Sequence, residues 1–311
     1  MANTYAKEVT SDNMSGKRFQ VDRLANNPII TPDLDDSLGG NINGPSLVRV
    51  PRWVSHPLGA YYLYFAHHSG KFIRMAYADR LDGPWRIYKP GVLRLEQSWC
   101  RGHIASPDVH IDEENRRFLM FYHGVPLQPG KVPQATKLAL SADGLHFEAM
   151  PETLGRAYWR SFRWRDMYYG ITMSGRLYRS RRWTGPYEEG PNLFRDLGVR
   201  QRHMAVKLDG DRLYLFFSIK EDAPEHIVVT SIALTDNWLD WKADSYESVL
   251  KPETVYEGAD LPLLPSKSGA VHTRVRQLRD PGIFEEDGRT YLLYAIAGES
   301  GIAIARIKLP D

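Results

Sequence analysis

Apolar positions in this chain come in short bursts separated by polar segments that contain Gly and Pro. Five aromatic-rich runs recur, at 61–66 (YYLYFA), 118–123 (FLMFYH), 167–172 (MYYGIT), 213–218 (LYLFFS) and 291–296 (YLLYAI). Each is too short for a helix and lies between turn-forming or charged residues, so each reads as a buried strand. A second apolar segment precedes every run, starting at Pro45, Pro107, Trp159, His203 and Asp280. An alternating segment follows, starting at Phe72, Thr136, Gly175, His226 and Gly301, with the period of two expected of a strand. Turn-plus-aromatic punctuation closes three copies: Asp82-Gly83-Pro84-Trp85, Asp143-Gly144-Leu145-His146-Phe147 and Thr184-Gly185-Pro186-Tyr187. No apolar stripe at helical spacing runs beyond about ten residues.

Five copies of a three- or four-strand meander, roughly 40 to 75 residues apart, are the pattern of radial repetition, in which blades around an axis protect their sheet edges. The last copy ends at Leu309 after its third strand, and the segment 19–30 (FQVDRLANNPII) can supply the missing outer strand. The pattern predicts an all-β fold: a five-bladed β-propeller closed by an N-terminal strand. It forms one domain over 1–311, with blades at about 41–95, 103–152, 156–195, 200–250 and 272–309 plus 19–30. A β-sandwich with irregular strands is the rival architecture.

Composition agrees. Of 311 residues, 12% are aromatic, and 25 Gly with 20 Pro supply many tight turns. Lys and Arg number 40 against 38 Asp and Glu, a formal charge of +2 that argues against a nucleic-acid partner. No run of eighteen apolar residues predicts a membrane span, and the first twenty residues lack the apolar core of a secretory leader. A soluble, cytoplasmic protein is expected. The single cysteine, Cys100, excludes a disulfide framework and any multi-cysteine metal site. No cofactor is expected, and the oligomeric state is left open.

In a propeller the first strand of each blade lines the central channel, and its start shares one mouth with the end of the second strand. First-strand starts nominate Asn43 and Gly44, Ser106 and Asp108, Arg160 and Ser161, Arg202 and His203, and Arg279 and Asp280. Second-strand ends nominate His67, His68, His123, Met173, Lys220 and Glu299. Functional groups concentrate at such loop-bearing strand ends.

Within that ring, Ala105-Ser106-Pro107-Asp108-Val109 resembles the second-blade motif of glycoside hydrolase family 43, whose proline–aspartate pair carries an auxiliary carboxylate. Arg279-Asp280-Pro281-Gly282-Ile283-Phe284, with Asp287-Gly288, resembles the arginine–aspartate–proline strand of the invertase and levansucrase families (32 and 68). Ser141-Ala142-Asp143-Gly144 is similar to blade-ending phrases of this wider furanosidase group. The resemblance covers nearly the whole chain as architecture and about a dozen residues as motifs. It implies a divergent member: Gly44 stands where family 43 places its general-base aspartate, and Tyr158-Trp159-Arg160-Ser161 where its general-acid glutamate opens the third blade.

Asp108 and Asp280 remain as candidate carboxylates, since glycoside hydrolysis uses one carboxylic acid and a second carboxylate. Blades two and five are not neighbours in a ring of five, so the two can face each other across the channel. Arg279, beside Asp280 in sequence, is expected to lower its pKa. His203 can fill the acid role, and Glu257, in the long connection 251–277, is the reserve acid; Glu299 is a further candidate. Substrate contacts are expected from Asn43, His67, His103, His123, Trp159, Arg160, Arg202 and Arg279. Arg160 would supply a fork for an anion and Trp159 a stacking face. The structural alternatives are an Asp that caps backbone amides, a His satisfied by hydrogen bonds and aromatics that pack blade on blade. No close metal-ligand spacing occurs, so no metal is expected.

The function expected is a glycosidase that cleaves a glycosidic bond of a short, possibly anionic oligosaccharide at the channel mouth. Three alternatives stay open: a glycoside phosphorylase, a propeller polysaccharide lyase using Arg and His groups, and a non-catalytic sugar-binding propeller.

Overall fold

The computed structural model describes residues 19–128, 130, 132–173 and 175–310, and each aromatic run there forms the second strand of an antiparallel meander. The stretch read for a leader lies, up to residue 18, outside the described residues. Blade one comprises Asn43–Arg49, Tyr61–Ala66, Phe72–Ala78 and Arg86–Ile87. Blade two comprises Cys100–Asp112, Arg117–Pro126, Ala135–Ser141 and Glu148–Ala149, and blade three Arg160–Trp164, Met167–Ile171, Arg176–Ser180 and Glu188–Asn192. Blade four comprises Gln201–Asp209, Arg212–Ile219, Ile227–Ala233 and Glu247–Leu250. Blade five comprises Arg279–Glu286, Arg289–Ala295 and Ile302–Lys308, and its outer strand is Gln20–Arg23. The inner strand of blade one packs against those of blades two and five, and that of blade four against those of blades three and five. The fold is a five-bladed β-propeller.

One strand departs from the apolar pattern. The inner strand of blade two starts at Cys100, seven residues before Pro107, and is broken by two register shifts, the first of which leaves His103 outside the ladder. Its added length reaches the channel mouth.

The apolar core lies between blades. Buried side chains form five clusters among the described residues, one for each blade-to-blade contact. Between blades two and three, Trp159 stacks on Phe121 with centroids 6.2 Å apart, and its indole lies over Gly170, where a Cβ would stand 1.8 Å from Cζ2. The aromatic excess therefore serves blade packing, in which each ring contributes area and edge or face contacts. Part of the basic run of blade three is similarly absorbed: Arg165 lies over Trp164 at 4.2 Å and Arg179 over Trp238 at 4.3 Å.

The ring closes through chain ends. Gln20 pairs with Lys308 and Arg23 with Ala305, and a side-chain latch fastens this strand to the loop between blades four and five. Arg23 Nε donates to Glu257 Oε1 at 2.8 Å and Nη2 to Oε2 at 3.0 Å, while Nη1 donates to Glu253. Glu257 is fully buried and also accepts from Tyr294 Oη and from the backbone N–H of Glu253 and Thr254. Burial alone would raise its pKa, but Arg23 and these donors hold it below the usual value. A depressed carboxylate contributes stability above its unfolded pKa and loses it as pH falls through the folded one. Arg23→Ala should therefore lower unfolding free energy by about 3 kcal/mol, as for a broken buried ion pair. It should also flatten the loss of stability below about pH 4.5. Urea midpoints across pH check both; an unchanged midpoint refutes the latch.

Candidate active site

The inner strands reach the mouth through a repeated backbone device. Pro45, Pro107 and Pro281 cannot donate to the ladder, so pairing slips there, with register shifts between Asn43 and Ser46, Ala105 and Asp108, and Arg279 and Gly282. The residue before each proline is left-handed: Gly44 at φ 62°, Ser106 at 50° and Asp280 at 47°. For Ser and Asp this conformation is uncommon and typical of functional sites. A Cβ on Gly44 would meet Ser106 Cα at 3.4 Å, so the mouth is tight where the two strands adjoin. Blade four has the corresponding shift between Gln201 and Met204, which carries His203 to the mouth.

There His203 Nδ1 is hydrogen-bonded to Asp280 Oδ1, and both residues are buried. Burial, reinforced by the cations of Arg202 and Arg160, pushes the imidazole well below its ordinary pKa. Because a carboxylate only accepts, the Nδ1 facing Asp280 carries a proton, and in the neutral ring Nε2 is the acceptor. Asp280 Oδ2 is buried with no hydrogen-bond partner. Tyr158, at φ 62°, stacks on His203 with centroids 4.3 Å apart and on His123 at 4.0 Å; His103 meets His123 edge-on at 5.9 Å. Both nitrogens of the buried His123 lack a partner, and burial drives its pKa far down. Four rings from blades two to four thus run in a column ending on Asp280.

Beside the column lies a dry ion network. Arg202 Nε donates to Glu225 Oε1 at 2.6 Å; Arg279 lies 3.3 Å from Glu225 Oε2 and donates to Glu299 Oε1 at 3.1 Å. Asn41 and Asn43 donate to Glu299 Oε2, and His68 lies 3.6 Å from it. Burial opposes ionisation of Glu299, yet His68, Asn41 and Arg279 lower its pKa to about 2. The same residues hold the long loop over the mouth: Arg202, Arg279 and Asn41 donate to the carbonyls of Lys267, Gly269 and Val271.

Asp108 follows Ser106 by two residues along its strand. Its Oδ2 accepts from Ser161 N–H at 2.7 Å and lies 2.8 Å from His110 Nε2. Burial would raise its pKa, but His110, Arg160 and the Ser161 amide hold it down. It faces a channel cavity of about 520 Å³ whose lining includes Arg160, His110 and Trp183 but neither Asp280 nor His203. The structure does not bring Asp108 and Asp280 to one cavity.

The other candidates separate in the same way. Arg279 turns away from Asp280 to Glu225 and Glu299, and the Asp280 carboxylate, beside Arg279 in sequence, is partnered by His203 from another blade. Arg160 donates to the carbonyls of Trp159 and Ser106. Trp159 is interior, its Nε1 donating to Ser161 Oγ. Glu257 belongs to the closing latch. His67 is half-buried on the mouth side, 6.4 Å from the His272 ring. Among the described residues, no group of three or more His, Cys, Asp or Glu is arranged to hold a metal ion, and no helix is long and apolar enough to cross a membrane.

Sequence reasoning missed Glu225, Asn41 and His110. Period-two alternation could have found Asn41 from Asn43 and His110 from Asp108. Glu225 lies in the turn Asp222-Ala223-Pro224-Glu225, where no periodicity applies.

The chain is 34% identical over 322 residues to "Uncharacterized protein R118" of Acanthamoeba polyphaga mimivirus, covering 93% of this chain and 89% of that protein. No family model matches. Solved structures share the fold at low identity. A GH43_1 enzyme from Xanthomonas citri complexed with xylotriose superimposes with TM-score 0.58 at 14% identity, over 86% of this chain and 87% of that one. An exo-1,5-alpha-L-arabinanase from a bovine ruminal metagenomic library gives 0.54 at 15%, over 86% and 92%. Cellvibrio cellulosa alpha-L-arabinanase complexed with arabinohexaose gives 0.55 at 16%, over 86% and 91%.

Arg279→Ala should strand Glu225 and Glu299 in a dry site and cost about 3–5 kcal/mol of unfolding free energy. Arg306→Ala, at the exposed pair with Asp22, should leave the urea midpoint unmoved. Equal midpoints for the two variants would contradict the structural weight given to the network.

Proposed function

The chain belongs to the same family as the uncharacterized mimivirus protein R118, and we propose that it is a carbohydrate-active enzyme that hydrolyses a glycosidic bond at the propeller mouth. The observation that carries this reading is Asp280, a carboxylate with one oxygen held by neutral His203 and the other buried and unpartnered. In the family 43 pattern the residue before the first-blade proline bears the base. Gly44 keeps that backbone geometry here without a carboxyl, and Asp280 repeats it in the adjoining blade.

In the proposed mechanism water attacks the anomeric carbon as the glycosidic C–O bond breaks; His203 Nε2 takes the water's proton, Asp280 orients the ring and stabilises the imidazolium that forms, and the departing oxygen takes a proton from solvent at the mouth. In this reading the unpartnered Asp280 oxygen stabilises positive charge at the anomeric carbon. Asp108 acts as a positioning group, fixing the Ser161 backbone. The phosphorylase and lyase readings need free guanidinium groups, whereas Arg202 and Arg279 are engaged by Glu225 and Glu299.

The test is a screen of arabino- and xylo-oligosaccharides and aryl glycosides, with and without phosphate. Reducing-sugar release independent of phosphate is expected. Asp280→Asn, which tolerates the left-handed backbone, should cut kcat by roughly 10²–10⁴-fold with the fold intact by circular dichroism. Full turnover in that variant would end this mechanism.

A further inference from the structure

A second cavity, of about 650 Å³, opens outside the channel between the Pro32–Leu34 turn and the loop that joins blades four and five. Its size falls within the range of about 300–1,000 Å³ common for small-ligand sites. Tyr256, Ile296 and Pro32 supply apolar lining, and Asp33, His272 and Arg274 supply polar groups.

Its walls are built rather than loose. Tyr256 is flanked by Glu257, whose four donors tie the Val255–Glu257 turn to Arg23 and Tyr294. Gly258, at φ 83°, admits the Val275 carbonyl to 2.7 Å from where a Cβ would stand, and Val275 N–H donates to Ala297 O. The stretch bearing His272 and Arg274 is therefore pinned to blade five. On the opposite wall, Ile29 and Ile30 N–H both donate to Ile302 O.

The cavity adjoins the ion network at the mouth through chain neighbours. Gly40 and Ser300 line it, while their chain neighbours Asn41 and Glu299 belong to the ion network, and His272 approaches His67. One carboxylate and one guanidinium give both acceptors and donors for hydroxyl groups without excess charge, and the apolar lining suits the C–H face of a sugar ring.

We infer that this cavity is a subsite for further neutral sugar units of the glycan cleaved at the mouth, an inference that rests on the proposed function. Glu257 then serves the site by fixing the wall that carries Tyr256. The test measures binding of neutral arabino- and xylo-oligosaccharides of two to six units by calorimetry, using the full chain with Asp280→Asn so that the ligand survives. Affinity should rise with chain length, and Tyr256→Ala should erase that gain, weakening the longest ligand by about tenfold or more. Arg274→Ala, a change at an exposed side chain, should act in the same direction and guards against misfolding of the first variant.

Length-independent binding, no binding, wild-type affinity in both variants, or tighter binding of uronic-acid oligosaccharides would each overturn the inference. Tyr256-dependent binding without any turnover by the native protein would sink the proposed hydrolysis and leave the subsite standing. Turnover with no effect of either cavity variant on binding would do the reverse.

Discussion

Four charged side chains, Arg202, Glu225, Arg279 and Glu299, share a nearly dry space at one mouth of the propeller, and the arrangement around them depends on that. Removing each ion from water costs several kcal/mol, so the group is tolerable only when every partner is present. They reach each other from blades four and five, and Asn41, Asn43 and His68 join them from blade one. The guanidinium groups also hold two carbonyls of the long loop, and Asn41 holds a third. One electrostatic requirement thus sets the spacing of three blades and the path of the chain over the mouth.

With that frame rigid, the residues that turn the other way become available for chemistry. Arg279 and Asp280 are adjacent, yet one reaches the glutamates and the other His203. Burial and the neighbouring cations push the imidazole pKa down, and Tyr158 stacks on the ring. A neutral imidazole bound to a carboxylate can accept one proton, because the carboxylate stabilises the imidazolium that forms.

The fold is permissive about which blade carries the acid. Gly44, Ser106 and Asp280 share a left-handed, pre-proline bulge in three successive positions around the ring, so a carboxyl at any of them enters the same mouth from a different angle. Glycine at one and aspartate at the next is a rearrangement that pseudo-symmetry makes cheap.

Much of the fold was written in local periodicity. The runs 61–66 and 291–296 are strands because six or seven apolar residues between turn signals can bury both faces, and the unfinished last blade required a strand from residues near 20. Mouth membership was legible too, since topology alone sends His203, Asp280, Glu299 and Asn43 to one end. Their partners were not. Arg23 with Glu257 and His203 with Asp280 are separated by 234 and 77 residues, and no pattern of period two or 3.6 encodes a contact at such range. Glu257 looked like a reserve catalytic acid because it is one of three carboxylates in a long loop, and became a latch because a cation from the closing strand meets it. The sequence alone therefore determined five blades and their closure, through local hydrophobic alternation. The tertiary structure decided which charges neutralise one another and which oxygen is left free, because burial makes an unpaired charge too costly to be placed by local preference.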